Sequence, residues 1–172
     1  MAKMNEKALT LISYGLFVIG AKSGEKLNGQ IADAVCQVAS EPQLLALSSN
    51  KKNLTHDMIK ESGKFSVVIL EKETPLTYIG RFGFRSGREV DKFEGINYFF
   101  TERGLPIPTD YALAYIECEV VQVVDVGSHT LFIGEIVNAD ILKEGEPLTY
   151  AYYQQVKKWK VPEASPTYHK AS

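Results

Sequence analysis

The stretch NGQIADAVCQVASEPQLLALSSNKKNLTHDMIKESG, residues 28–63, decides how the rest of the chain is organised. It begins as a strand-like segment of small and polar residues and continues as the short apolar strand LLAL. It ends in the polar loop SSNKKN, which opens directly into a helix. Free backbone N–H groups and the positive end of the helix dipole point toward a loop in this position. The pattern therefore predicts an anion site, which we interpret as the place of a phosphate group.

Length and composition limit the class of protein. The 172 residues suffice for one domain with a substantial core, and 45% hydrophobic with 23% charged residues is a globular composition. The formal net charge of −2 gives no general attraction to nucleic acid or to an anionic membrane, so an anion site must be local. The sequence has no signal-peptide pattern and no apolar run of about 20 residues, which predicts a cytoplasmic protein.

Apolar periodicity predicts a chain made mostly of strands joined by hairpins. An arm over residues 1–13 leads into a buried strand at 14–21, and a turn at 22–25 leads into an antiparallel second strand at 27–39. Further segments are predicted as strands at 43–49, 65–70, 98–101, 112–124 and 129–142, and as a tyrosine-rich strand or turn at 147–159.

Short helices connect some of these strands. Asn53 or Thr55 can cap a first helix, and Gly63 is suited to end it. A second short helix is predicted over residues 75–82, because proline is favoured in the first turn. The following segment, 80–95, is rich in glycine and charge and is predicted to be a loop with a short helical turn.

Six or more strands with one or two short helices predict a mainly β fold, an antiparallel β-barrel with short helical insertions. A parallel sheet is disfavoured because strands and helices do not alternate and no G-x-G-x-x-G motif joins a strand to a long helix. In 112–124 the alternation predicts that Glu117 faces water and that Cys118 is buried. We expect one domain over residues 1–160 and a C-terminal tail or linker over 161–172.

Two groups of polar residues are candidates for ligand binding. The loop residues Ser48, Ser49, Asn50, Lys51, Lys52 and Asn53 either hold a phosphate or form a solvated loop with a helix cap. Asn28, Gln30 and Asp33 are polar where a plain strand would be apolar, so they either hydrogen-bond a planar polar ligand or face water. The small residues Ala32 and Ala34 would let a ring approach the backbone closely.

Histidine and cysteine provide little side-chain chemistry in this sequence. His129 begins a strand after a Gly-Ser turn, where it is either a structural residue or a partner for the polar edge of a ligand. The histidines do not have the spacing of metal ligands, and the sequence has no Gly-x-Ser-x-Gly motif. Cys36 and Cys118 are predicted to be reduced core residues. A cofactor that brings its own reactivity therefore fits better than catalysis by side chains alone.

Several segments match one known family in their order and spacing: N-G-Q-I-A-D-A-V-C-Q-V at 28–38, Pro42, S-S-N-K-K-N-x-T-H at 48–56, F-S-V-V-I-L at 65–70, F-G-F-R-S-G-R-E-V-D-K-F at 82–93 and G-S-H-T-L-F-I-G-E-I at 127–136. Over roughly residues 5–160 the chain resembles the flavin reductase-like, FMN-binding split-barrel family. Within it, the resemblance is strongest to flavoredoxin-like proteins and to the flavin reductase domain of high-molecular-weight rubredoxins.

That resemblance implies a homodimeric, antiparallel six-stranded split β-barrel that holds FMN noncovalently near the subunit interface. The segment that would line the isoalloxazine consists of Asn28, Gln30, Ile31, Ala32, Asp33, Ala34, Val35 and Cys36. The loop that would hold the phosphate supplies Ser48, Ser49, Asn50, Lys51, Asn53 and Thr55.

The same resemblance implies that a loop over residues 84–92 closes over the cofactor, with Arg85, Ser86 and Lys92 in contact. It also places His129 on the flavin or nicotinamide side, as the candidate catalytic residue. Asp33 departs from the family pattern, and its charge near the flavin is expected to lower the reduction potential. In a rubredoxin fusion, paired C-x-x-C motifs would follow such a tail, and none is present here, so a separate partner or a longer chain is expected.

The resemblance leaves three hypotheses for function. The first is an FMN-dependent oxidoreductase that takes electrons from NAD(P)H and passes them to free flavin, a rubredoxin-like protein or another flavoprotein. The second is an FMN-binding electron carrier with no nicotinamide site of its own. The third is a barrel that binds another phosphorylated ligand, such as pyridoxal phosphate or a nucleotide, without redox chemistry.

Overall fold

The computed structural model of the protein describes residues 4–157 and 165–167, and antiparallel strands follow one another along most of this chain. A 3-10 helix over Glu6–Leu11 precedes the first strand. The strands are β1 (Phe17–Ser23), β2 (Lys26–Ala32), β3 (Val35–Ser40), β4 (Gln43–Asn50), β5 (Lys64–Leu70), β6 (Tyr98–Phe100), β7 (Pro106–Pro108), β8 (Ala112–Asp125) and β9 (His129–Ile141). The helices are α1 (Leu54–Ser62), α2 (Leu76–Gly83) and α3 (Tyr150–Gln155).

Seven strands form one antiparallel sheet in the order β2-β1-β5-β8-β9-β4-β3, while β6 pairs with β7 in a small second sheet. The two predicted hairpins are present. β1 turns into β2 at Gly24 and β8 turns into β9 at Gly127, and both glycines have a positive φ. The predicted fold class, mainly β and antiparallel with short helical insertions, is confirmed.

The single strand predicted over residues 27–39 is wrong, because the chain breaks at Asp33 and Ala34 into β2 and β3. The Val35 N–H donates to the Asp33 carbonyl oxygen at 3.0 Å, and this tight turn takes both residues out of the ladder. The Ala34 carbonyl oxygen instead accepts from the Ser48 N–H at 3.0 Å. The chain thereby exchanges β1 for β4 as its neighbour, and the main sheet gains a seventh strand.

The polar loop predicted to begin at residue 48 begins later, because its first three residues continue β4. Ser48, Ser49 and Asn50 pair with β9, which supplies the backbone partners that their polar character did not predict. In this register Asn50 lies opposite His129. The candidate phosphate-binding residues and the candidate catalytic residue therefore come together at one end of β4 and β9.

The helix α1 begins after Asn53 and ends at Gly63, whose φ of +69° is the left-handed conformation that the sequence predicted. Met58 and Ile59 are buried and anchor the helix to the sheet. The second predicted helix is also confirmed, as α2. In residues 4–157 and 165–167, no helix is both long and apolar enough to span a membrane.

The strand or turn predicted for residues 147–159 is wrong over Tyr150–Gln155, which form α3, whereas Pro147 and Thr149 form isolated antiparallel bridges with Glu71 and Gly15. Thr149 caps the helix, since its Oγ1 accepts from the Tyr152 N–H at 3.2 Å. Tyr150 and Tyr153 lie three residues apart and are both buried. Residues 158 and 159 lie outside the described residues, as does all of the predicted tail over 161–172 except residues 165–167.

Both faces of the central strands are covered. On β1, Val18 packs in a cluster with Phe82 of α2, whereas the adjacent Ile19 packs in a second cluster with Phe65 and Phe132. Alternate side chains of a strand point to opposite faces, so both faces of the sheet are buried here. This burial places polar residues of the central strands in the interior as well.

The carboxylate of Glu117 lies in the interior, with 1% of the residue exposed, so the prediction that it faces water is wrong. Asn138, its partner on β9, donates from Nδ2 to Oε2 at 2.9 Å. Cys118 is buried as predicted, and burial raises the pKa of its thiol to about 12. Cys36 is exposed on β3, so it is not the core residue that was predicted; both cysteines are free thiols.

Candidate functional site

A cavity opens where β2, the start of α1 and the loop after α2 meet. The predicted cofactor-binding residues that line it are Asn28, Gln30, Ile31, Ala32, Asp33, Ser48, Asn50, Asn53, Thr55, Arg85, Ser86 and Lys92. These residues come from separate parts of the sequence. The fold therefore brings most of the predicted set around one cavity.

The other predicted cofactor-binding residues do not line this cavity. Ala34, Val35 and Cys36 follow the break after β2, so the chain has already turned away toward β4. Ser49 does not line the cavity itself but accepts a hydrogen bond from Gln30, which does. Lys51 pairs instead with β8, since its Nζ lies 2.7 Å from Asp125 Oδ2. The neighbouring Lys52, which was part of the phosphate prediction, does line the cavity.

A network of side-chain amides and hydroxyls forms the inner wall of the cavity. Gln30 donates from Nε2 to Ser49 Oγ at 3.1 Å and accepts at Oε1 from Asn53 Nδ2 at 2.8 Å. Asn28 donates from Nδ2 to Thr55 Oγ1 at 2.8 Å. These bonds tie β2 to β4 and to the start of α1 across the edge of the sheet. We use "inner wall" below for these five residues, of which four line the cavity and Ser49 is hydrogen-bonded to Gln30.

The start of α1 borders the cavity, where Asn53, Leu54 and Thr55 are lining residues. Among the described residues, the Asn53 side-chain oxygen accepts no capping bond from the helix, while its Nδ2 donates to Gln30. The first N–H groups of a helix are left without intrahelical acceptors, and the helix dipole adds a partial positive charge there. Lys52 adds a full charge at the same end. This end of the cavity is therefore suited to a phosphate or carboxylate.

The loop after α2 covers the cavity from outside and is fixed to α1 by an ion pair. Arg88 donates to Asp57 Oδ2 at 2.6 Å, and Asp57 Oδ1 lies 3.0 Å from His56 Nδ1. The hydrogen bond from His56 and the Arg88 guanidinium lower the pKa of the Asp57 carboxyl. His56 Nε2 also lies 2.8 Å from Thr130 Oγ1, so α1, β9 and the loop are linked. No local sequence pattern predicts this network.

Gly87 lets the same loop pass directly over β2. A Cβ atom at this position would lie 2.1 Å from Asn28 Oδ1, far inside van der Waals contact. The backbone of the loop therefore reaches the inner wall because residue 87 carries no side chain. Any larger residue must push either the loop or Asn28 out of place.

Lys92 joins the loop to the strand beneath it. Its Nζ donates to the Gly29 carbonyl oxygen at 2.8 Å and to the Phe82 carbonyl oxygen at 2.9 Å. Only 5% of the residue is exposed, and this burial lowers the pKa of Lys92 to about 8. An ammonium carries three N–H donors, so one more can be offered to a ligand in the cavity that Lys92 lines.

His129 lies beside the main cavity and lines a second depression. Its Nδ1 is 2.8 Å from Ser128 Oγ, and 7% of the residue is exposed. Ser48, Asn50 and Lys52 border both the main cavity and this depression. A molecule bound at His129 would therefore lie next to a ligand held in the main cavity.

Some lining residues were missed by the sequence argument. The apolar part includes Leu16, Ile79, Phe82, Tyr150 and Tyr153, and the outer side includes Ser165 and Pro166. The helical spacing of Tyr150 and Tyr153 was a usable signal, because residues three apart share one helix face. Among the described residues, no group of three His, Cys, Asp or Glu side chains is arranged to hold a metal ion.

Comparison with known proteins gives a consistent family. The family model described as flavin reductase like domain matches residues 9–159. A high molecular weight rubredoxin of Moorella thermoacetica is 50% identical over 165 residues, which are 96% of this chain and 72% of that protein. A ferric-chelate reductase (NAD(P)H) of Archaeoglobus fulgidus is 47% identical over 165 residues, which are 96% of this chain and 98% of that protein.

Solved structures show the same fold. Flavoredoxin from Methanosarcina acetivorans aligns with a TM-score of 0.73 and 26% identity, over 86% of this chain and 80% of that one. An FMN-binding protein from Thermus thermophilus aligns with a TM-score of 0.70 and 28% identity, over 76% of this chain and 73% of that one. These neighbours agree with the resemblance that the sequence motifs carried.

Proposed function

The chain belongs to the flavin reductase-like family, and from that premise we propose that it binds FMN and passes electrons from NAD(P)H through the flavin to a second redox carrier. The observation that supports this most directly is the composition of the cavity. Buried amides and an apolar side lie together, and an anion-suited end formed by Lys52 and the start of α1 lies beside them. A flavin nucleotide has a ring with polar edges and a phosphate, which match these parts.

The residues of the cavity have distinct proposed roles. The amides of Asn28 and Gln30 orient the ring, while Ser48, Asn50 and Lys52 hold the phosphate at the end of β4. Arg85, Ser86 and Lys92 cover the ring from the loop after α2. A bound flavin would supply the hydride and electron chemistry, so the protein is required chiefly to position the reactants and exclude water.

His129 is proposed to face the nicotinamide in the neighbouring depression. Its ring lies beside Ser48 and Asn50, so a second ligand there would adjoin the ligand of the main cavity. The ferric-chelate reductase relative carries NAD(P)H in its name, which supports a nicotinamide co-substrate for this chain. Asp33 lines the cavity, and its charge is expected to lower the reduction potential of FMN; potentiometry of Asp33→Asn should show an upward shift.

A homodimer is part of the proposal. Apolar side chains are exposed on two strands of the main sheet, at Val38 of β3 and at Val121 and Val123 of β8. Such side chains are commonly covered in an oligomer interface. The electron acceptor is proposed to be a separate rubredoxin-like protein or flavoprotein, since one relative is a high molecular weight rubredoxin. A cytoplasmic location stays a prediction.

A second candidate is an FMN-binding electron carrier with no nicotinamide site, which the similarity to flavoredoxin favours. An absorption spectrum of the purified protein, before and after anaerobic addition of NADH or NADPH, separates the two. Rapid bleaching of a flavin spectrum is the expected result for the reductase. Bleaching by dithionite alone supports the carrier. A colourless protein that takes up no added FMN would contradict both.

A further inference from the structure

Residues 165–167, which we name the C-terminal strap, lie against the cavity although they are more than 130 positions from β2 in sequence. Ser165 and Pro166 line the main cavity, and both also line the depression that contains His129. The strap is therefore a wall shared by the two spaces. The sequence predicted only a tail or linker for this part of the chain.

One carboxylate oxygen holds the strap in place. Asp33 Oδ2 accepts from Ser165 Oγ at 2.8 Å and also from Thr167 Oγ1. Thr167 Oγ1 lies 3.1 Å from the hydroxyl of Tyr150, which connects the strap to α3. Within the strap, the Thr167 N–H donates to Ser165 Oγ at 3.2 Å. Two hydroxyl donors on one ionised acceptor form hydrogen bonds of the stronger, charge-assisted kind.

Asp33 is placed to act on both sides of the wall. It occupies the break between β2 and β3, and only 3% of the residue is exposed. While Oδ2 holds the strap, Oδ1 is buried and has no hydrogen-bond partner among the described residues. Because Asp33 also lines the cavity, a hydrogen-bond donor on a bound ligand would satisfy the remaining oxygen.

We propose that the C-terminal strap is the outer wall of the flavin site and that Asp33 is the positioning residue that holds it there. The strap then limits how fast flavin leaves the cavity, and this inference rests on the proposed FMN function. When the strap lifts, Asp33 loses two charge-assisted bonds and gains water in their place. Release of flavin requires this opening. Removing either the Asp33 carboxylate or the hydroxyls of the strap therefore speeds release.

The experiment measures exchange of bound FMN against isotopically labelled FMN, sampled by gel filtration and mass spectrometry. Asp33→Asn removes the charge that holds the strap, and the double variant Ser165→Ala/Thr167→Val removes its two hydroxyls. Each is expected to speed exchange roughly ten- to hundredfold. The control Ser40→Ala, which removes an exposed hydroxyl at the end of β3, should exchange like the wild type.

A variant that combines Asp33→Asn with Ser165→Ala/Thr167→Val separates the contact between Asp33 and the strap from a direct effect of Asp33 on the flavin. If the carboxylate and the two hydroxyls act only through each other, Asp33→Asn adds little to the exchange rate of the double variant. Additive effects, or wild-type exchange in both variants, would overturn the proposal. The unfolding midpoint of each apoprotein is the control for general damage, which would also speed exchange but would lower this midpoint, whereas loss of the strap contact alone leaves it close to the wild-type value.

A second measurement does not depend on FMN. Hydrogen exchange of the Thr167 amide in the apoprotein is expected to be faster in Asp33→Asn than in the wild type, because the strap opens more often. Equal exchange of this amide in Asp33→Asn and in the wild type would overturn the proposal that Asp33 holds the strap, whether or not the protein binds flavin. If the wild-type protein takes up no FMN, the proposed function and the role of the strap in flavin release are both refuted. Faster amide exchange in Asp33→Asn would then still support the contact between Asp33 and the strap.

Discussion

The inner wall of the cavity is held by hydrogen bonds between buried side chains, whereas the outer side is held by charged groups at or near the surface. On the inner wall, Gln30 bridges Ser49 and Asn53 with little exposure to water. On the outer side, Arg88 pairs with Asp57 while about half of each side chain remains exposed. The outer side also includes the C-terminal strap.

This difference indicates that the inner wall and the outer side have different roles in ligand binding. A buried amide network with each group paired specifies one geometry, because any other arrangement leaves polar groups without partners. An exposed ion pair contributes little free energy, since water and salt compete for both charges. We therefore expect the inner wall to set where the ligand lies and the outer side to set how readily it enters and leaves.

The largest effect is expected from Gln30→Leu, which breaks the inner wall. The substitution leaves the Ser49 hydroxyl and the Asn53 amide without their partner, and both groups are close to the interior. Leaving buried polar groups unpaired should lower the free energy of unfolding by roughly 3 kcal/mol. FMN affinity should fall by at least about tenfold, because Asn53 and the start of α1 lose their position.

Urea unfolding and FMN titration measure these two quantities. The matched control is Gln37→Leu, since Gln37 lies exposed on β3 and its Nε2 donates to the nearby Ala39 carbonyl oxygen. That variant should change stability by less than about 0.5 kcal/mol. Equal effects of the two glutamine substitutions would contradict the distinction between the walls.

The buried amine of Lys92, which joins the loop after α2 to β2, should make the stability of the protein depend on pH. Burial lowers its pKa to about 8, whereas an unfolded lysine titrates near 10.5. Between these values the unfolded chain binds a proton that the folded chain has lost, so the free energy of unfolding rises with pH. The expected rise is about 1.5 kcal/mol from pH 8 to about pH 9.5 for this residue alone.

Chemical denaturation of the apoprotein across this pH range measures the slope. In Lys92→Met the contribution disappears, and the free energy of unfolding should depend less on pH even though the variant is less stable throughout. The slope is the informative quantity. Loss of the bonds to the Gly29 and Phe82 carbonyl oxygens lowers the free energy of unfolding by a similar amount at every pH and so leaves the slope unchanged. An unchanged slope would show that Lys92 does not titrate here.

The smallest effect is expected from Arg88→Gln, which loosens the outer side. Because the pair with Asp57 is half exposed, stability should fall by less than about 1 kcal/mol. FMN release should become about twofold faster, and the difference from the wild type should shrink at high salt. Arg103→Gln is the matched control, since Arg103 forms a similarly exposed pair with Glu119 of β8. A faster release in that variant would contradict a local role for the loop.

Local patterns were enough to predict the hairpins and the helix ends. Gly24 and Gly127 lie in turns between apolar segments, and Gly63 follows a helical pattern, so short-range signals carried these features. The polar residues Asn28, Gln30 and Asp33 were also identified, because they are unusual in a strand. Their partners are distant in sequence and were supplied only by the fold.

Other features depend on contacts that no local pattern contains. The strand breaks at Asp33 because the chain exchanges β1 for β4, and the alternation of residues gives no sign of that change. Glu117 is buried because both faces of the sheet are covered and Asn138 meets it from β9. The strap could not be predicted, since its contact with Asp33 joins opposite ends of the chain.

The most direct test of the central claim compares FMN with riboflavin, which lacks the phosphate, in equilibrium binding to the same protein. We expect one FMN per chain, bound about a hundredfold more tightly than riboflavin, because the phosphate meets Lys52 and the start of α1. Lys52→Met should narrow this ratio to about tenfold, while Lys60→Met, at the far end of the helix, should leave it unchanged. Equal affinity for the two flavins, or no binding of either, would contradict the proposal that this chain binds FMN through its phosphate.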